Sequence, residues 1–232
     1  MNSSSNGSPG AAYRSALLVL AIVLFTGLIS GPATATADDI DIVLRWNEKA
    51  AAAATATSPF NQARVGAIVQ LAVFEAVNAI TGEYEPYLNP APEAAPGASL
   101  EAAVITAAHT TMTTLLPSTA AALNPARDLD LGAIPDGQAK TDGIALGTTA
   151  ANAMLALRAA DGSLPLTTIV PPTPTPMVPG AYQLTTGCAA AMFVNWQNVT
   201  PFGIANASSF LLEPPPSLAS GRYAKDLSLI HI

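Results

Sequence analysis

Arg64-Val65-Gly66-Ala67-Ile68-Val69-Gln70-Leu71-Ala72-Val73-Phe74-Glu75-Ala76-Val77-Asn78-Ala79-Ile80 decides the fold. The run is apolar on nearly every side and carries no proline. It follows Ser58-Pro59-Phe60-Asn61, in which Ser58 suits an N-cap and Pro59 the first helical position. The spacing predicts a helix from Pro59 to about Thr81. A helix this apolar is expected at the centre of a bundle. Its polar residues, Arg64, Gln70, Glu75 and Asn78, then need partners inside the protein.

Further helices are expected on either side. Upstream, a helix from about Asp39 to Thr57 places Ile40, Val43, Leu44, Ala51 and Ala54 on one face. Asp38, Asp39 and Asp41 fall in its first turn, where the macrodipole favours anions, and Asp41 and Arg45 stand four apart. Downstream, residues 82–98 hold four prolines and read as a loop. Ser99 caps a third helix whose apolar face is Leu100, Val104, Ile105, Ala108, Met112 and Leu115. Pro117 and Ser118 open a short turn or helix ending near Asn124-Pro125. A long helix then runs from Pro135 or Asp136 to about Ala160, with Gly162 placed to end it. Along it Gly143, Gly147 and Ala151 stand four apart, a stripe that lets another helix come close.

Beyond Gly162 the composition changes. Pro171, Pro172, Pro174, Pro176 and Pro179 require an extended chain. Tyr182, Phe193, Trp196, Pro201, Phe202 and Phe210 follow, and these rings are expected to pack on a helical body. Half of all residues are hydrophobic and 11% are charged, with much of the apolar count alanine. The fold class expected is therefore all-α: a helical bundle portion over 38–162, a Pro- and aromatic-rich irregular segment over 163–216 packing on it, and the start of a helix over 217–226.

The two ends read differently. Arg14 precedes an apolar run of 14 residues, Ala16–Ile29, then Ala33-Thr34-Ala35 and Ala35-Thr36-Ala37. A spanning helix needs roughly 20 apolar residues, so 1–37 reads as a cleaved signal peptide for export to a periplasm or the exterior. No later stretch is expected to span a bilayer. Leu227-Ser228-Leu229-Ile230-His231-Ile232 reads as the in-frame translation of a sequencing adapter, so the natural frame is expected to be interrupted at Asp226, with 227–232 set aside from the reasoning about fold and site.

The chain carries 16 acidic and nine basic residues. Loss of Arg14 with the signal leaves eight basic ones, which argues against nucleic acid or an anionic membrane as partner. No stable membrane anchor is expected after cleavage, and a homo-oligomer is left open. Chemistry-bearing motifs are sparse. Cys188 is the one cysteine, so no intrachain disulfide forms, and it reads as a small apolar filler in a loop or core. His109 reads as a hydrogen-bonded structural residue. Glu83 and Glu85 read as solvated loop acids, and Arg64 with Glu75 as part of a buried polar network. There is no nucleophile elbow, phosphate-cradling loop or zinc motif. Asn198-Val199-Thr200 and Asn206-Ala207-Ser208 match the glycosylation sequon.

Several phrases, in order, carry a resemblance. They are Val43-Leu44-Arg45-Trp46-Asn47; Arg64 through Ile80; Ile134-Pro135-Asp136-Gly137; Gly143-Ile144-Ala145-Leu146-Gly147; Leu157-Arg158-Ala159-Ala160-Asp161-Gly162; Pro179-Gly180-Ala181-Tyr182; Trp196; Val199-Thr200-Pro201-Phe202; Pro214-Pro215-Pro216; and Arg222-Tyr223-Ala224-Lys225-Asp226. Together they resemble the N-terminal part of bacterial vanadium-dependent haloperoxidase-like proteins, in the type 2 phosphatidic acid phosphatase superfamily. The resemblance implies a helical bundle with vanadate, or a phosphate ester in the phosphatase relatives, caged by motifs of the C-terminal half. Those motifs are Arg-Pro after a lysine, Pro-Ser-Gly-His, and a Ser-Arg stretch ending in histidine. An oxyanion of high charge needs such Lys/Arg donors, and a histidine to attack or bind it.

None of these motifs occurs here, so no catalytic, cofactor-binding or metal-binding residue is carried over. The basic residues Arg45, Lys49, Arg64, Arg127, Lys140, Arg158, Arg222 and Lys225 are too dispersed to propose as a cage. The expectation is a non-catalytic N-terminal portion of an exported haloperoxidase-like parent, partnered by the missing C-terminal half, with vanadate belonging to that parent. A phosphatase parent is the alternative. From a different class, the chain is a complete exported helical binding or structural protein.

Overall fold

The computed structural model describes residues 37–170 and 181–229. The expected signal peptide up to Thr36, the proline run from Pro171 to Pro179, and the last three residues lie outside them. The helices are α1 (Ala37–Ala54), α2 (Pro59–Thr81), α3 (Leu100–Leu115), α4 (Ala120–Ala133), α5 (Gln138–Arg158) and α6 (Gly221–Leu229). Two-residue strands β1 (Thr168–Ile169) and β2 (Ala191–Met192) pair antiparallel, Thr168 opposite Met192. The protein is mainly α-helical, and it divides into two compact units, Met1–Ala153 and Met154–Ile232.

In the first unit, α2 begins as its sequence requires. Ser58 Oγ accepts from the Asn61 backbone N–H, Pro59 takes the first position, and Gly82 closes the helix in the left-handed region at φ 64°. Glycine reaches that conformation without the Cβ clash other residues incur. The centre of the unit, however, is α3. Every residue from Ala102 to His109 is buried, then Thr111 and Met112. By contrast α2 buries one face, through Val65, Ile68, Val69, Ala72, Val73 and Ala76. Its alanines Ala102, Ala103, Ala107 and Ala108 are all fully buried, and the glycines of α5 come close beside them. By length and mean hydropathy (1.4) α2 would also pass for a membrane span, contrary to the sequence expectation, and half of it is buried within the protein. A core helix and a membrane helix share composition.

Two other expectations are corrected. The buried face of α1 is Ile42, Trp46, Ala50 and Ala54, while Leu44 and Ala51 are exposed. Trp46, the largest side chain in the core, sets the face, and its neighbours recur every four residues. Downstream, α4 does not stop at Asn124-Pro125 but runs through Pro125 to Ala133. Proline removes one helical donor, and the carbonyl so released belongs to Ala121, which is exposed to water.

The glycine stripe of α5 lies against α3. A Cβ at Gly143 would run into the Ser99 carbonyl oxygen and approach Ala102 Cβ to 2.9 Å. At Gly147 it would run into the Ala103 carbonyl oxygen and come within 2.9 Å of the Ala107 nitrogen. These obstacles are backbone, which cannot swing aside. Gly147→Ala is expected to lower stability by about 1–3 kcal/mol through overpacking. Gly66→Ala, at a helical position with open space around it, is expected to raise it by about 0.5–1 kcal/mol. Thermal unfolding of the two variants checks the opposite signs.

Candidate functional site

Three polar joints organise the two units. The first ties α1, α3 and α4. Trp46 Nε1–H donates to Asp130 Oδ2 at 3.0 Å, and Arg45 Nη1 donates to the other oxygen at 3.3 Å. Arg45 also meets Asp41 at 3.3 Å, the i,i+4 pair expected from sequence. Beneath them the His109 ring meets the Trp46 ring edge-on, with centroids 6.2 Å apart, and His109 Nε2 lies 2.8 Å from Asn124 Oδ1. His109 is 6% exposed. Burial holds its pKa below the ordinary histidine value, helped by nearby Arg127 and opposed by the Asn124 hydrogen bond and Asp128.

The second joint fastens the loop after α2. Glu75 is 1% exposed. Its Oε1 accepts from the backbone N–H groups of Tyr87 (2.6 Å) and Leu88 (3.2 Å). Asn78 donates to the Tyr84 carbonyl at 2.8 Å and accepts from its N–H at 2.9 Å. Glu75 and Asn78 thus find the internal partners that their positions demanded, whereas Gln70 is exposed and donates to Asn47 of α1. Glu83 and Glu85 are exposed on the same loop.

The third joint lies wholly within the second unit. Arg158 and Asp161 are 2% and 4% exposed. Their ion pair measures 3.0 Å, and Arg158 also donates to the carbonyls of Thr200 (2.6 Å) and Pro201 (3.3 Å). The Phe202 ring covers the guanidinium at 3.8 Å. Asp161 Oδ1 accepts from Ser163 N–H at 3.0 Å, and the Asp161 carbonyl accepts from Thr200 N–H at 2.8 Å. Gly162 lies beneath the Asn198 carbonyl at φ 86°, where a Cβ would come to 3.1 Å. Of the aromatic residues of this segment, Phe202 covers Arg158 within the second unit and Phe193 meets Trp196 edge-on at 6.2 Å, whereas Tyr182 and Phe210 are largely exposed. Cys188 is exposed at the end of a turn begun by Thr185, not a filler of loop or core.

The His109 ring has an amide and an aromatic edge for company, and among the described residues no nucleophile is hydrogen-bonded to the ring. Among the described residues no group of three or more His, Cys, Asp or Glu side chains converges as metal ligands. The residues also do not fit a vanadate cage. An oxyanion needs converging cations with donors to spare. Here Arg45 is committed to Asp41 and Asp130, Arg127 to Asp128, Lys140 to Asp136 and Arg158 to Asp161. Asp136 is held below its usual carboxylate range by the Lys140 hydrogen bond and charge. Sequence reasoning missed Asp130 and the structural weight of Trp46. The 42-46-50-54 spacing would have exposed the latter, whereas Asp130 lies beyond a proline taken as a helix end.

Comparison with protein-family models, curated proteins and solved structures finds no match.

Two measurements check the joints. The depressed His109 pKa means that the unfolded chain takes up the proton first, so stability is full above about pH 6.5 and falls as pH drops below it towards the folded-state pKa. His109→Gln should flatten that part of the stability profile in urea titrations across pH 7.5 to 5. Asp161→Asn leaves a buried guanidinium facing a neutral amide, a loss of about 3–5 kcal/mol from the second unit. Limited proteolysis should then cut between Arg158 and Phe202 at lower temperature than in the parent chain.

Proposed function

We propose that this chain is the N-terminal, non-catalytic portion of an exported vanadium-dependent haloperoxidase-like protein of the type 2 phosphatidic acid phosphatase superfamily. One coincidence carries the reading. The phrases on which the resemblance rests supply the residues that hold each unit together. Trp46 comes from the first phrase, and Glu75 and Asn78 from the second. Gly143 and Gly147 let α5 approach α3. Arg158, Asp161, Thr200 and Phe202 join two phrases some forty residues apart in sequence. Residues with such duties are those a shared architecture retains, whatever happens to the catalytic half.

On this reading the parent oxidises halide with hydrogen peroxide on vanadate, and the cage lies beyond Asp226. A parent that hydrolyses phosphate esters differs in what the same kind of cage holds. Reading through the genomic sequence past the Asp226 codon tests the proposal. The frame is expected to continue into Arg-Pro and Pro-Ser-Gly-His motifs; a stop codon directly after Ile232 in an independently sequenced copy would contradict it. The purified chain is expected to show neither vanadate-dependent bromination nor phosphatase turnover. Turnover of either kind that disappears in His109→Ala would overturn the assignment of that residue to structure.

A further inference from the structure

The two glycosylation sequons of the second unit, Asn198-Val199-Thr200 and Asn206-Ala207-Ser208, stand in different surroundings. The first is bound into the Arg158 joint. Asn198 ends a 3₁₀ turn, Val194–Asn198, and its carbonyl lies over Gly162. Thr200 donates its N–H to the Asp161 carbonyl at 2.8 Å, and its own carbonyl accepts from Arg158 Nη2 at 2.6 Å. Drawing this tripeptide away from the body would uncover a buried ion pair. The second sequon has no such ties. Among the described residues, the hydrogen bonds of 203–212 run only within 206–211. Asn206 is extended (φ −157°, ψ 153°) and exposed. Its Oδ1 accepts from the Ser209 N–H at 3.2 Å, from Ser209 Oγ at 3.3 Å and from Ser208 Oγ. All three bonds fall on the amide oxygen, which leaves Nδ2 without a protein partner among the described residues. The neighbouring Phe210, Leu211 and Leu212 are 68%, 79% and 92% exposed.

An N-linked sugar is transferred to an asparagine amide where Ser or Thr stands two residues on and the tripeptide is accessible at the surface. The tripeptide has to leave the protein body to enter the transferase, so every bond that folding gives it competes with modification. At Asn198 folding adds two backbone bonds to Thr200 inside a buried joint; at Asn206 it adds local bonds alone. We infer that Asn206 is an acceptor site for an N-linked glycan, and that the Arg158 joint closes Asn198 to the same modification. In the transfer, Asn206 Nδ2 attacks the anomeric carbon of an oligosaccharide carried on a lipid diphosphate. The C–N bond forms and the bond from the anomeric carbon to the diphosphate oxygen breaks. The lipid diphosphate leaves, and one amide proton passes to a base of the transferase. A glycan at Asn206 hydrates the surface beside the exposed Phe210-Leu211-Leu212 run, and so opposes association through it.

The inference rests on the export proposed above, because transferases of this kind act on chains that have crossed a membrane. Two leaders keep the two claims apart. The chain is expressed in insect cells in two forms, one with residues 1–37 as its leader and one with a leader of the host in their place. Digestion by peptide-N-glycosidase in heavy-oxygen water leaves labelled aspartate at each occupied asparagine, which peptide mass spectrometry locates. Behind the host leader, the second unit is expected to carry one glycan, at Asn206. Asn206→Gln and Ser208→Ala should each abolish it, and Ser208→Thr should retain it. Arg158→Gln, which unties Thr200, is expected to add a second glycan at Asn198. Cells and medium are both read, so that a variant that fails to fold still reports. The proposal is overturned by a bare Asn206 behind the host leader, by equal occupancy of Asn198 in the parent chain, or by an Asn198 that stays bare in Arg158→Gln. A glycan at Asn206 that forms behind the host leader alone would establish the acceptor site and sink the export reading.

Discussion

The carbonyl oxygens of Ser99 and Ala103 occupy the places where β-carbons at Gly143 and Gly147 would lie. Much of the first unit depends on that absence of two carbons. With α5 drawn close on one side, α3 is enclosed without a break from Ala102 to His109. Enclosure in turn makes its alanines useful, because small side chains turn a buried helix into a surface that neighbours can approach closely. The same enclosure takes His109 out of water. An imidazole there must be neutral and hydrogen-bonded, and Asn124 with the edge of Trp46 supplies that environment.

From this follows the division of labour among the polar groups. Asp130 receives Trp46 and Arg45, Glu75 receives two loop amides, and Arg158 gathers Asp161 with two carbonyls and a ring. Each is an anchor between segments distant in sequence, and each has its hydrogen-bonding capacity turned towards its own chain. A group so occupied stabilises the fold and is not available to a substrate.

The sequence made the helices legible where local chemistry is strong. Ser58-Pro59 and Ser99 mark starts, and the glycine stripe announced a close helix contact, whereas α5 ends at Arg158, ahead of Gly162. It was less informative where a choice depends on tertiary packing. The face of α1 differs from the expected one because that reading rests on five aliphatic positions and omits the one tryptophan, Trp46, which sets the buried face. The long apolar run of α2 points to it as the central helix, although α3, which is also apolar, is the one enclosed without a break from Ala102 to His109. Pro125 was read as a terminus, yet its missing donor costs little where the orphaned carbonyl meets water. The Arg158 joint could not be read at all, because nothing in the Leu157–Gly162 phrase says that its partner is a loop some forty residues on.

The central claim is that the helical unit is a scaffold in which Arg45, Arg127 and Lys140 pair separately with carboxylates of the same unit rather than converging as a cage for an oxyanion. A ligand that binds only the folded state raises the melting temperature in proportion to the logarithm of its concentration over Kd. Thermal unfolding of the full chain, with and without millimolar orthovanadate at fixed ionic strength, reads this directly. The account predicts superimposable transitions; a concentration-dependent upward shift of several degrees would contradict it.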